Sequence, residues 1–127
     1  MDLYDYMLKH KQKFCESQAR LIWLDLLTGI GQLHSMGIYH RDLKLQNIVY
    51  LPEEGKAKII EFGMATCFPN PEGVVGSPMF MSPQVLNSQK YTKMCDIWSL
   101  GIIFYCMVLR SSPYGDTTNP KVILEKM

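Results

Sequence analysis

Eight consecutive residues, His40-Arg41-Asp42-Leu43-Lys44-Leu45-Gln46-Asn47, bring together the side chains of this sequence best suited to a common chemistry. Lys44 follows the acid Asp42 by two residues and Asn47 follows Lys44 by three, in a turn-like segment that runs into the apolar stretch Ile48-Val49-Tyr50-Leu51. Moving a phosphoryl group needs a carboxylate to orient a hydroxyl, a fixed cation on the moving group and an oxygen ligand for Mg²⁺. Asp42, Lys44 and Asn47 offer these three in order. The bland alternative, a salt-bridged surface loop, leaves the full spacing unexplained.

Such a loop has to be held by rigid elements on both sides. Asp2 to about Lys11 has helical spacing (Leu3, Tyr6, Met7) and ends in the basic cluster His10-Lys11-Gln12-Lys13, which suits a helix C-terminus. Cys15-Glu16-Ser17 opens a second predicted helix. Its apolar positions Ala19, Ile22, Trp23, Leu26, Ile30 and Leu33 step by three and four, and Gly37 stands where a left-handed cap belongs. Ile48–Leu51 and Ala57–Ile60 read as short strands joined by the turn Pro52-Glu53-Glu54-Gly55. Thr92 is the expected N-cap of a last long helix, Lys93 to Arg110. From Ile97 to Leu109 that helix is apolar nearly all round, which predicts burial on every side. Asp96 in such surroundings must be hydrogen-bonded. A final helical piece spans Pro120 to Met127. The fold class expected is mainly α with a small β-hairpin (α+β).

At 127 residues the sequence is one domain at most. Its net charge of +1, with 20% charged residues, makes no electrostatic case for nucleic acid or an anionic membrane as partner. Cys15, Cys67, Cys95 and Cys106 are scattered without a metal-type pair and read as reduced thiols of an intracellular, cytoplasmic protein, Cys106 being core. Met1-Asp2-Leu3-Tyr4-Asp5 carries acids where a secretory leader would be basic and then apolar. The longest uncharged run, between Asp96 and Arg110, falls short of the roughly 20 residues of a membrane span.

The pattern H-R-D-L-K-x-x-N resembles the catalytic loop of protein kinases, and Lys44 in its place points to the serine/threonine branch. Asp96-Ile97-Trp98-Ser99-Leu100-Gly101 is similar to the family's D-x-W-S-x-G, and Gly76-Ser77-Pro78-Met79-Phe80-Met81-Ser82-Pro83-Gln84 to G-T/S-P-x-Y-M-A-P-E. The resemblance covers essentially the whole chain. It implies that residues 1–127 form the large lobe of a kinase domain, from the helix after the hinge to the helix after the central buried one. It implies ATP and Mg²⁺ as cofactors and a protein Ser or Thr as acceptor. Asp42 would orient the substrate hydroxyl, Lys44 would neutralise the moving phosphoryl group, and Asn47 and Glu61 would hold Mg²⁺. Ser77 would face Asp42 and Lys44. Asp96 would anchor the backbone of the loop that His40 opens, and Arg41 would grip a phosphate on the activation segment. Asp2 falls where the family keeps an acid near the ribose, and Val49 where it forms the adenine floor. Asp2 reads equally as an exposed acid near a chain start, and Val49 as a core residue as well.

The chain departs from the family at three points. Glu61-Phe62-Gly63 stands in place of Asp-Phe-Gly. The extra methylene lengthens the side chain by roughly 1.5 Å, and misplacements of about 1 Å can cost on the order of 10²-fold in rate. Gln84 replaces the closing acid of its motif, and Phe68 to Gly76 contains no Ser, Thr or Tyr for a phosphate. Glu72 reads either as a permanent negative charge for Arg41 or as a solvated loop residue. The glycine-rich loop, strand lysine and partner glutamate of the small lobe have no counterpart in the sequence, so the chain alone is expected to be inactive. The motifs look like autophagy-initiating (ULK-like) kinases, with calmodulin-dependent and NIMA-related kinases close. A second reading stays open: a non-catalytic, pseudokinase-like module that docks on a full kinase or a scaffold through exposed core surface.

Overall fold

The computed structural model describes residues 1–11, 13–69 and 71–127. Helix α1 (Leu3–His10) starts at Asp2, whose Oδ1 accepts the Asp5 N–H at 2.8 Å. It ends at Lys11 in the left-handed conformation; Gln12 of the expected basic cluster lies outside the described residues. Helix α2 (Glu16–Ser35) is capped by Cys15, whose N–H donates to Gln18 Oε1 at 3.3 Å. Gly37, at φ 74°, turns the chain away after its end. The left-handed turn stands where the sequence predicts it.

Strands β1 (Ile48–Leu51) and β2 (Lys56–Ile59) form one antiparallel hairpin with Ile48 opposite Ile59 and Leu51 opposite Lys56. The second strand is shifted by one residue from Ala57–Ile60, because Ile60 already donates outside the strand, to the Asn47 carbonyl at 3.0 Å. Asp25 of α2 accepts the outward Ala57 N–H at 3.0 Å, so the hairpin edge facing α2 is satisfied. A short helix α3 (Pro83–Leu86), capped by Ser82, precedes the long α4 (Met94–Leu109), and α5 (Pro120–Lys126) follows. Thr92 does not occupy the N-cap of α4; Lys93 does. Thr92 instead supports the first turn, its Oγ1 accepting the Met94 N–H at 3.3 Å.

One core runs through these elements. Ile22, Leu26 and Ile30 of α2 pack with Leu100, Ile103 and Met107 of α4, while Leu3, Ile48 and Ile123 bring in α1, the hairpin and α5. Trp23 Nε1 donates to the Leu100 carbonyl at 3.1 Å, and the Phe14 N–H to that of Met107 at 3.2 Å. Burying each such aliphatic side chain contributes about 1.5–3 kcal/mol. Burial of α4 on every side is corrected: Trp98, Gly101, Tyr105 and Leu109 are exposed and form a stripe at helical spacing. Cys95 and Cys106 are core thiols that burial pushes up to about 12 and about 11, so both stay protonated. Among the described residues no helix is long and apolar enough to cross a membrane.

Candidate active site

The loop between α2 and β1 is built by alternation. Leu43 and Leu45 are buried in the core, and this turns Asp42 and Lys44 toward the opposite, open side. A 3₁₀ turn, Leu45–Asn47, then brings Asn47 back onto the loop. Its Nδ2 donates to the Asp42 carbonyl at 2.8 Å and to Asp42 Oδ2 at 3.3 Å. The amide is thereby oriented with its Oδ1 directed away from Asp42 and free to serve as a ligand.

Backbone geometry at Arg41 is unusual. Its φ of 69° lies in the left-handed region, which disfavours a non-glycine residue by about 1–2 kcal/mol. Asp96 of α4 offsets this strain. Its Oδ2 accepts the His40 N–H and its Oδ1 the Arg41 N–H, each at 2.9 Å. His34, in the last turn of α2, lies 2.8 Å from the same Oδ2 through Nε2. A carboxylate 1% exposed thus faces three donors, as a buried charge requires. The Asp42 N–H donates to His40 Nδ1 at 3.2 Å, while His40 Nε2 is buried without a partner. Burial holds the imidazole below its ordinary value of 6.5, against the neighbouring Asp96, Asp42 and Glu61 charges, and so favours the neutral ring.

Ser77 arrives from a distant segment and closes the cluster. Its hydroxyl donates to Asp42 Oδ1 and accepts from Lys44 Nζ, both at 3.2 Å, and Lys44 Nζ lies 3.4 Å from Asp42 Oδ2. Gly76 makes this approach possible. At φ 109°, a Cβ on Gly76 would stand 2.5 Å from the Arg41 carbonyl oxygen. Ser99 of α4 supports the same segment, donating to the Phe80 carbonyl at 2.7 Å. Asp42, Lys44, Asn47 and Ser77 therefore form one connected cluster in which a carboxylate and an ammonium meet a hydroxyl. That arrangement can orient an alcohol and neutralise developing negative charge beside it.

The remaining candidates sit around this cluster. Glu61 is exposed and its Oε1 accepts the N–H groups of Phe62 and Gly63, both at 3.1 Å. The longer side chain folds back on its own backbone, and only Oε2 is left for another ligand. Phe62 stacks obliquely on His40, ring centroids 5.4 Å apart. Asp2 caps α1 and makes a backbone bridge to Val49, which is half-buried in β1. Arg41 donates through Nε to the Met64 carbonyl at 2.7 Å and through Nη1 to Tyr91 Oη at 3.5 Å. Glu72 lies 3.5 Å from exposed Lys90, so the permanent-charge reading for Arg41 is replaced by a solvated ion pair.

Sequence reasoning does not single out His34 or Tyr91, and it names Gly76 only as the opening residue of the motif that carries Ser77. Its signal in the sequence is that a glycine directly precedes a candidate serine.

The family model described as protein kinase domain matches residues 1–127. A probable myosin light chain kinase of Dictyostelium discoideum is 35% identical over 99% of this chain and 41% of its own length. A probable serine/threonine-protein kinase of Saccharomyces cerevisiae is 37% identical over 87% of the chain and 19% of its length. Ribosomal protein S6 kinase alpha-1 of Rattus norvegicus is 35% identical over 99% and 18%. The chain thus spans about two fifths or less of the length of these relatives.

Proposed function

This chain belongs to the protein kinase domain family, and from that premise we propose that it supplies the large-lobe half of a serine/threonine kinase active site. In the complete protein it transfers a phosphoryl group from ATP to a protein hydroxyl, in the cytoplasm. The observation that carries this reading is the contact of Ser77 with both Asp42 and Lys44. A serine hydroxyl already rests there between carboxylate and ammonium, where an acceptor hydroxyl has to be held.

In this reading Asp42 orients the acceptor hydroxyl and takes its proton, and Lys44 neutralises charge on the transferring group. Arg41 and Asp96 fix the loop. Asp2 and Val49 lie on adjoining backbone at the nucleotide side, Val49 offering an apolar surface to the adenine. Mg²⁺ would be held by Asn47 Oδ1 and Glu61 Oε2. One amide and one carboxylate suit a hard cation that also takes phosphate oxygens, rather than one caged by protein alone. Among the described residues there is no cluster of three acidic, histidine or cysteine side chains that would form such a cage. When bound, the cation supplies charge neutralisation at the phosphates.

The second reading, a non-catalytic docking module, is favoured by one observation: Glu61 spends one carboxylate oxygen on the Phe62 and Gly63 N–H groups. A phosphotransfer assay on the full-length protein decides between them. Asp42→Asn is expected to lower kcat by at least about 10²-fold, and Glu61→Asp to leave kcat unchanged or raise it. Transfer that persists in Asp42→Asn, or none in wild type and Glu61→Asp alike, sinks the kinase reading.

A further inference from the structure

We infer that the C-terminal end of α1 is a docking site for a carboxylate-rich segment, bearing Asp and Glu, of a protein partner. Between Asp5 and Glu16 the chain has no acid, and Lys9, Lys11 and Lys13 stand there at every second position. All three are exposed, and among the described residues none of them makes an ion pair. A fourth cation joins them from α4. The Phe14 N–H donates to the Met107 carbonyl at 3.2 Å, three residues before exposed Arg110, the left-handed cap of α4. The run stands on a packed aromatic base. Ring centroids of Tyr6 lie 4.3 Å from His10, 5.7 Å from Phe14 and 4.8 Å from Tyr50. That base fixes both ends of the run, at Tyr6 and His10 and again at Phe14.

Helix ends account for only part of this charge. A helix C-terminus carries about half a negative unit charge, felt within its last turn. One lysine answers that at α1 and Arg110 answers it at α4, which leaves two lysines in excess. The excess selects a partner. A phosphate group concentrates its charge and is held best by guanidinium forks and backbone N–H groups. Both helix ends here present carbonyls instead. Three of the four cations are lysines, which offer charge as separate points on flexible stems. Carboxylates spread along a peptide suit that pattern. A broad anionic surface does not, because Asp5 and Glu16 bound the run on both sides, and a net charge of +1 gives nucleic acid no wider field. This docking uses neither Asp42 nor Lys44, so it is independent of the kinase reading.

The test is binding to the full-length protein. A fluorescently labelled peptide of alternating Glu and Gly is titrated at low salt, beside the same peptide with Gln for Glu. The Glu peptide is expected to bind roughly tenfold more tightly and to lose that advantage as salt is raised. Lys9→Gln, Lys11→Gln and Lys13→Gln combined are expected to weaken it roughly tenfold, the sum of three surface ion pairs. Lys→Arg at the same three positions retains binding. Lys56→Gln, Lys58→Gln and Lys121→Gln combined remove the same charge at exposed sites elsewhere and leave binding within about twofold. Equal loss in the two Gln triples, or equal binding of the Glu and Gln peptides, overturns the site. So does tighter binding, through Lys9, Lys11 and Lys13, of a singly phosphorylated serine peptide or of a vesicle of phosphatidylserine and phosphatidylcholine. Phosphotransfer plays no part in the readout, so failure of the site leaves the Asp42 assay untouched.

Discussion

Single atoms decide much of this site. Gly76 has no Cβ, and the Arg41 carbonyl occupies the place where one would be, 2.5 Å away. Gly76→Ala therefore has to push two loops apart, besides adopting a φ that alanine disfavours. A destabilisation of about 1–3 kcal/mol is expected, as for overpacking elsewhere. It is read as a lower urea midpoint, with the Ser77 contacts to Asp42 and Lys44 loosened as the two loops part. An unchanged midpoint would show that the two loops do not meet at Gly76. At Glu61 a single methylene matters in the same way. It is enough for the carboxylate to reach its own downstream N–H groups, which no pattern of residue types announces.

At the scale of elements, the 40–47 loop is hung from α4 by one side chain. Asp96→Ala would leave the His40 and Arg41 N–H groups and His34 Nε2 without their acceptor, at about 1–3 kcal/mol for each buried donor. Asp96→Asn should cost less, because its amide oxygen still accepts. Urea midpoints ordered parent, Asn, Ala are expected; equal midpoints would mean that the loop does not depend on α4. Much of this level was legible in the sequence. Helical spacing gave α1 and α2 to within a residue or two, the turn residues gave the hairpin, and an acid in an apolar helix demanded partners. The face of α4 was not legible. When Ile97 to Leu109 is apolar almost throughout, the periodicity that distinguishes inside from outside disappears, and the exposed Trp98–Tyr105 stripe leaves no trace. His34 was hidden for another reason: its partner lies 62 residues away and nothing local depends on it.

For the whole molecule, the buried neutral His40 couples folding to pH. Its proton affinity is lowered in the fold, so the unfolded chain binds the proton more readily. Stability from this group is complete above the ordinary histidine value of 6.5 and is lost progressively as pH falls below it. Urea midpoints are expected to fall as pH drops below about 6.5, and His40→Gln to flatten that slope. A parent slope equal to that of the variant would assign the proton elsewhere. The attachment of the loop to α4 also sets a clock. Asp96 lies 56 residues after His40 and 55 after Arg41. At about 5–20 residues per second of synthesis, the reactive side chains emerge on the order of several seconds before the carboxylate that bends them into shape. Until α4 follows, the left-handed turn at Arg41 has nothing to hold it. A nascent chain halted before α4 carries Asp42, Lys44 and Asn47 without the geometry that joins them, so assembly of the site waits on translation of its anchor.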